Sequence, residues 1–141
     1  EKIPIGTEYR IGTYIYNDRS LMEREVCSEG DCALTILATV VSTPTSERAV
    51  IDAGSKVLTT DLFGLTGHGH IIDHPELTIS QLSEEHACIV SDQPTGLSIG
   101  QKLRVIPNHA CVVSNMVDEV IFIEGQKVLK KQAVVARGKV L

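Results

Sequence analysis

The residues best suited to chemistry lie in the segment Pro107-Asn108-His109-Ala110-Cys111. One residue separates His109 from Cys111, so in an extended segment both side chains would lie on the same face and could approach one metal ion. Imidazole and thiolate are donors that zinc prefers, whereas magnesium and calcium favour oxygen ligands. Two protein ligands would leave coordination positions open for water or substrate, as in catalytic zinc sites. The structural alternative is that His109 caps a turn and Cys111 packs as a small buried hydrophobe.

Three further histidines lie in a loop-rich stretch over residues 53–75. His68 and His70 belong to the segment Gly67-His68-Gly69-His70, and His74 follows Asp73. Their spacing could gather imidazoles around a metal, but a mobile glycine-rich loop fixes no ligand geometry. A solvated loop is therefore the favoured interpretation.

His86 is a further catalytic candidate, because it follows Glu84 and Glu85 and either acid could orient its ring. At the start of a predicted strand, a structural role is the favoured interpretation. Lys56 would suit Schiff-base chemistry only in a desolvated pocket, and its neighbours in the sequence give no sign of one. We therefore favour a structural role for Lys56 as well.

The composition limits the class of protein. The chain has 141 residues and a net charge of −5, with few aromatic residues and no basic cluster, which argues against nucleic-acid binding. Its longest apolar stretch, residues 32–41, is too short for a membrane helix of about 20 residues, and no signal peptide is evident. The four cysteines form no CxxC pair and are too few for a disulfide scaffold. We expect reduced thiols and a cytoplasmic location.

The elements that must position these residues are predicted to be strands. Short runs rich in Val, Ile and Thr, separated by Gly, Pro, Asn and Asp, predict an all-β fold: a single barrel-like domain over residues 1–141, with no helix longer than about two turns. A sandwich is the alternative. The predicted strands are 11–16, 32–42, 48–52, 77–82, 86–90, 102–106, 118–123 and 127–136, and residues 110–116 could form a helical turn or a strand.

Four segments in this order resemble the C-terminal β domain of the D-serine dehydratase and D-threonine aldolase family. They are Gly-Thr-Tyr-Ile-Tyr-Asn-Asp (12–18), Asp-Ala-Gly-Ser-Lys (52–56), Leu-Ser-Glu-Glu-His (82–86) and Pro-Asn-His-Ala-Cys (107–111). The resemblance covers residues 5–140. It implies an alanine-racemase-type enzyme in which an N-terminal α/β barrel holds pyridoxal phosphate on a lysine. It also implies that the β domain carries a divalent metal on His109 and Cys111.

The resemblance further implies zinc, because D-serine dehydratases pair His with Cys, whereas D-threonine aldolases pair His with Asp around a harder ion such as manganese. Cys111 therefore favours a dehydratase over an aldolase. In a dehydratase the metal would bind the β-hydroxyl of a D-amino acid substrate and act as a Lewis acid, and in an aldolase the same contact would orient the hydroxyl for retro-aldol cleavage. The dehydratase would convert D-serine to pyruvate and ammonia, and the aldolase would cleave its substrate to glycine and an aldehyde.

The cofactor-bearing barrel is not found in the sequence, and residue 1 is Glu instead of Met. We therefore expect a domain without activity of its own: an excised domain, a product of proteolysis or a split subunit. Its partner would be the barrel, in the same or another chain, and the complete enzyme would be a homodimer, as the family implies. One alternative is a non-catalytic β module that binds a metal or a partner protein. A small metal-dependent hydrolase would need a third ligand and a base, and the carboxylate nearest to the pair in sequence is Asp118.

Overall fold

The computed structural model describes residues 7–139, so the predicted domain begins and ends outside the described residues. In this part of the chain there are eight strands: β1 (Ile36–Thr45), β2 (Arg48–Ile51), β3 (His70–Ile71), β4 (Thr78–Leu82), β5 (Ala87–Val90), β6 (Lys102–Ile106), β7 (Glu119–Glu124) and β8 (Lys127–Ala133). The helices are α1 (Arg19–Met22), α2 (Ser55–Leu58) and α3 (Ala110–Met116), with 3₁₀ turns at Thr13–Ile15 and Glu29–Asp31. None of the described helices is long and apolar enough to cross a membrane.

The first six strands form one antiparallel sheet in the order β3-β6-β1-β2-β5-β4. Strand β1 joins its two halves, because its first four residues pair with β6 and its later residues pair with β2 across two register shifts. The two edges approach each other, since the backbone N–H of His68, just before β3, donates to the carbonyl of Ile79 in β4 at 3.0 Å. The predicted barrel-like all-β fold is confirmed.

Alternation along the strands builds the core. Every second side chain is buried in β2 and β5, and the same two-residue period of a strand buries Ala38 and Val40 in β1 and Leu103 and Val105 in β6. Small and large residues face each other in register, in the pairs Ala38–Leu103, Ala49–Ile89 and Ile51–Ala87. Alternation of small and large side chains is typical of the interior of a small barrel. Burial of each large aliphatic side chain contributes about 1.5–3 kcal/mol.

Strands β7 and β8 form a separate hairpin. All their side chains are exposed except Val120, which is half-buried. The turn has Gly125 at φ +58°, and its carbonyl accepts a hydrogen bond from the Arg104 guanidinium of β6 at 3.1 Å. A two-stranded sheet is only marginally stable by itself. The turn at Gly125 favours the hairpin, and the hydrogen bond from Arg104 connects it to the six-stranded sheet. The predicted hairpin is confirmed.

The structure corrects the prediction near the N-terminus. The strand expected over residues 11–16 is wrong: the chain forms a 3₁₀ turn, Asn17 takes a positive φ of 53°, and the side chain of Asp18 caps α1. No side chain of that turn is buried, so the alternating pattern had no core to face. Strand β1 begins at Ile36 instead of residue 32, because Cys32 ends the second 3₁₀ turn. The other predicted strands are found within a few residues, and all four cysteines are free.

Candidate metal site

The His-x-Cys segment lies at the junction between a strand and a helix. After β6, Pro107 and Asn108 are buried, and His109 is the extended N-cap residue of α3 (φ −139°, ψ 106°). Cys111 is therefore in the first helical turn, and the common extended face expected for the pair is wrong. The structural alternative is not found either, since His109 makes no side-chain cap and Cys111 is exposed. The His109 side chain is about one-fifth exposed, at 18%.

A buried carboxylate supports the histidine. Asp18 has a fully buried side chain, and its Oδ2 lies 3.3 Å from Nδ1 of His109 and 2.9 Å from the backbone N of Ala110. Its Oδ1 accepts hydrogen bonds from the Ser20 hydroxyl at 2.7 Å and from the backbone N–H of Leu21 at 3.2 Å. The carboxylate near the candidate ligands is thus Asp18, from a segment 91 residues away from His109.

Backbone hydrogen bonds hold these two segments together. The N–H of Arg19 donates to the carbonyl of Pro107 at 3.0 Å, and the N–H of Ser20 donates to the carbonyl of Asn108 at 3.3 Å. Helix α1 therefore begins against the end of β6. This docking places the capping carboxylate of α1 beneath the first residue of α3.

The loop between α2 and β3 covers another side of the histidine. The buried Asn108 donates from Nδ2 to the carbonyls of Asp61 and Gly67 at 3.0 and 2.9 Å. Between those two anchors, Phe63 has a positive φ of 52°, and its ring centroid lies 4.6 Å from that of His109, tilted by 42°. The imidazole is therefore held by a hydrogen bond at its Nδ1 and by an aromatic contact.

The donor set fits a divalent metal of the zinc type. With Nδ1 of His109 directed to Asp18, Nε2 forms no hydrogen bond within residues 7–139, and a metal-binding histidine commonly has this arrangement. The exposed Sγ of Cys111 lies 3.5 Å from the Thr13 hydroxyl. No group of three or more His, Cys, Asp or Glu side chains suited to a metal occurs in the described part of the chain. A metal on this pair would therefore need further ligands from water, substrate or another domain.

The structure does not bring the three other histidines together around one site. His70 lies in β3, and its Nε2 is 2.7 Å from a carboxylate oxygen of Glu29. His74 contacts Glu76 at 3.4 Å through Nδ1. His68 has a buried Nδ1 without a hydrogen-bond partner among the described residues, and burial lowers its pKa. These contacts give no common metal site. The expected solvated loop is wrong at His68 and His70, because both are half-buried and His70 pairs with Ile106 in the sheet.

His86 and Lys56 lie at a different, exposed corner of the domain. The side chain of Ser83 donates to the backbone carbonyl of His86 at 3.2 Å, which closes the turn between β4 and β5. The Lys56 ammonium lies 3.0 Å from both the Glu84 and the Glu85 carboxylates. Hydrogen bonds to these two acids raise the pKa of Lys56, which opposes the neutral amine that Schiff-base formation requires.

Sequence reasoning identified the two donors but missed their supports. Asp18, Phe63 and Asn108 lie far from one another in the chain, and no local spacing joins them. The one available signal was Asn17-Asp18 before a short apolar run, which is typical of a helix start. It predicts the cap of α1 but not the second set of contacts that Asp18 makes.

Comparisons with known proteins give the same family as the four sequence motifs. Residues 33–123 match the family described as "Putative serine dehydratase domain". The D-threo-3-hydroxyaspartate dehydratase of Delftia sp. (strain HT23) is 29% identical over 123 residues, which cover 74% of this chain and 32% of that enzyme. The D-threonine aldolase from Filomicrobium marinum superposes with a TM-score of 0.78 at 30% identity, covering 92% of this chain and 36% of that chain. The chain thus spans about a third of these two enzymes.

In a shorter relative, the matched region makes up almost the whole protein. An uncharacterized protein of Mycobacterium tuberculosis (strain ATCC 25618 / H37Rv) is 41% identical over 128 residues, which cover 86% of this chain and 96% of that protein. The same domain therefore makes up nearly all of one relative and about a third of others. The chain belongs to the serine dehydratase domain family, and it corresponds to the C-terminal domain of D-serine dehydratases and D-threonine aldolases.

Proposed function

We propose that the chain is the metal-bearing domain of a pyridoxal-phosphate-dependent lyase that acts on D-β-hydroxy amino acids, with D-serine as the first candidate substrate. The observation that carries this proposal is the pairing of His109 with the buried Asp18, next to the exposed thiol of Cys111. This arrangement leaves Nε2 and Sγ as the donors for a divalent metal.

Each residue has a separate task in this proposal. His109 offers Nε2 as a neutral ligand, and Cys111 offers its sulfur after loss of the thiol proton. A thiolate donor favours zinc, and manganese is the alternative. The bound metal would supply Lewis-acid assistance to departure of the substrate β-hydroxyl, or to retro-aldol cleavage if the enzyme is an aldolase. Solved structures of D-threo-3-hydroxyaspartate dehydratase include an alanine variant of a histidine and a metal-free alanine variant of a cysteine numbered two higher, the same separation as His109 and Cys111.

The rest of the active site would come from a pyridoxal-phosphate barrel in the same or another chain of a homodimer. Two features support an external partner. The described residues offer this pair no third protein ligand, whereas catalytic zinc usually has three, and apolar side chains are exposed beside the pair. Tyr14 and Ile15, in the same 3₁₀ turn as Thr13, are each 61% exposed, and Phe63 is 46% exposed. By itself the chain would have no lyase activity. The four free cysteines support a cytoplasmic location.

Metal binding tests the ligand assignment. The purified chain, equilibrated with zinc and dialysed, should retain about one zinc per chain by atomic absorption. His109→Ala and Cys111→Ala should lose it. His86→Ala and Cys88→Ala, which remove the same donor types elsewhere, should retain it. Zinc retention by either ligand variant would contradict the assignment.

Catalysis is tested on the protein isolated at its native size from its own source. A visible absorption band of lysine-bound pyridoxal phosphate, with pyruvate formation from D-serine, would support the dehydratase. Formation of glycine and an aldehyde from D-threonine would identify an aldolase instead. If the native species lacks the band and consists of this chain alone, the lyase proposal fails.

A second candidate function is a non-catalytic β module that binds a metal or a partner protein. The mycobacterial relative favours it, because the match takes up 96% of that protein and so leaves no room for a fused barrel. The two functions differ in whether the domain associates with a pyridoxal-phosphate barrel. Co-purification with a pyridoxal-phosphate barrel supports the lyase, and its absence supports the module.

A further inference from the structure

We infer that Asp18 is a positioning residue that fixes the tautomer of His109, and thereby selects Nε2 as the nitrogen that faces outward. The role in metal binding rests on the proposed function. The tautomer does not, because it follows from contacts within this chain and exists without any metal.

The two oxygens of Asp18 serve different parts of the structure. Oδ1 accepts from the Ser20 hydroxyl and from the N–H of Leu21, so it belongs to the cap of α1. Oδ2 accepts from the N–H of Ala110, which can only donate, at 2.9 Å. The same Oδ2 lies 3.3 Å from Nδ1 of His109. Because the side chain is fully buried, water cannot replace any of these partners.

This arrangement decides the position of the imidazole proton. A carboxylate oxygen that already accepts a backbone N–H presents lone pairs to its other neighbour, so Nδ1 must carry the proton. The neutral ring then has its lone pair on Nε2. The opposite tautomer would place the lone pair of Nδ1 against Oδ2, with neither atom able to donate. The Phe63 ring, tilted by 42° with its centroid 4.6 Å away, packs against the imidazole.

Substitution of Asp18 by Asn replaces one acceptor oxygen by a donor NH₂ group with little change in side-chain shape. The amide has one acceptor and one donor, so it cannot reproduce two acceptor oxygens. If its oxygen keeps the cap of α1, its NH₂ group faces Nδ1 of His109 and favours the tautomer with the proton on Nε2. Ser20→Ala is the matched control, because it removes a partner of Oδ1 and leaves Oδ2 with both of its contacts.

The decisive experiment is ¹⁵N NMR of the imidazole rings in the zinc-free chain, in mildly alkaline buffer, with His109→Ala used to assign the signal. The wild-type chain and Ser20→Ala should both show a protonated Nδ1 and an unprotonated Nε2 at His109. Asp18→Asn should shift the population toward protonated Nε2. A wild-type ring with its proton on Nε2 would overturn the inference without any variant. So would the wild-type tautomer in a folded Asp18→Asn protein whose amide oxygen keeps the cap of α1, because the NH₂ group then faces Nδ1.

Zinc affinity, measured by competition with a chromophoric chelator, tests the consequence. Loss of the partner of a metal-binding histidine typically weakens metal affinity about 10–100-fold, so we expect that loss for Asp18→Asn and a change of less than about 3-fold for Ser20→Ala. Equal affinities for wild type and Asp18→Asn would refute the positioning role. If the wild-type chain shows the expected tautomer but binds no zinc, the metal proposal fails while the tautomer assignment holds.

Discussion

Replacement of Asn108 should destabilise the domain more than any other asparagine substitution near the candidate site. Its side chain is 1% exposed and donates from Nδ2 to the carbonyls of Asp61 and Gly67 at 3.0 and 2.9 Å. Its Oδ1 lies 3.4 Å from the Arg19 guanidinium. Asn108→Ala removes all three contacts, including two hydrogen bonds that hold the loop that carries Phe63.

The expected cost follows from the groups that are left behind. A buried carbonyl without a donor costs about 1–3 kcal/mol, and a typical hydrogen bond contributes a net of about 0.5–1.5 kcal/mol. Asp61 and Gly67 are half-buried, so water can reach their carbonyls after the change and the lower part of these ranges applies. At about 1–1.5 kcal/mol for each of the two carbonyls, Asn108→Ala should lower the free energy of unfolding by about 2–3 kcal/mol.

The assay is urea denaturation followed by far-UV circular dichroism, because the chain has no tryptophan to report by fluorescence. Asn115→Ala is the matched control, since Asn115 is exposed and accepts one hydrogen bond, from the N–H of Gly138 at 2.8 Å. It should change the free energy of unfolding by less than about 0.5 kcal/mol. A cost below about 1 kcal/mol for Asn108→Ala, or equal costs for the two variants, would refute the reasoning.

Three further predictions concern thiol reactivity, pH and packing. Cys111 is exposed, whereas burial raises the pKa of Cys32 to about 12, so iodoacetamide should modify Cys111 well before Cys32; peptide mass spectrometry checks this, and similar rates would contradict it. The hydrogen bond from the Thr39 N–H lowers the pKa of Asp52 below its ordinary 3.8, so its stabilising effect is present above that value and is lost as the pH falls through the lower folded value. Asp52→Asn should therefore lower the thermal midpoint at neutral pH, by the equivalent of less than about 1 kcal/mol for this exposed group, and the difference should shrink in acid; a difference independent of pH would count against the contact. Ile89→Ala, at a fully buried position, should cost about 2–5 kcal/mol in urea denaturation, and a cost under about 1 kcal/mol would show that the core is not packed as described.

Strands were predictable from the sequence where alternation coincides with a buried face. The predicted strand 102–106 matches β6 residue for residue, because Leu103 and Val105 face the core on either side of the half-buried Arg104. The same alternation misled over residues 11–16, where the chain has no core beneath it. There the local hydrogen bonding of Asn17 and Asp18 determines the structure instead.

Only the ligand types of the candidate site could be predicted from the sequence, because the two donor residues lie close together in the chain. Imidazole and thiol in a short segment identify His109 and Cys111 as potential ligands from their types alone. Their geometry was not predictable, because whether the chain continues as strand or helix after His109 depends on contacts with distant segments. Asp18 reaches His109 because α1 docks on the end of β6, and two hydrogen bonds of this docking join backbone atoms, which carry no sequence signature.

Under the proposed function, the geometry indicates which parts of the active site this domain would supply and which its partner would supply. The support of His109 by Asp18 is buried and internal to the domain. A metal held by His109 and Cys111 would have only these two donors from the described residues. The domain would therefore fix which atoms bind the metal and which metal they prefer, while the partner would fix the remaining ligands and the substrate.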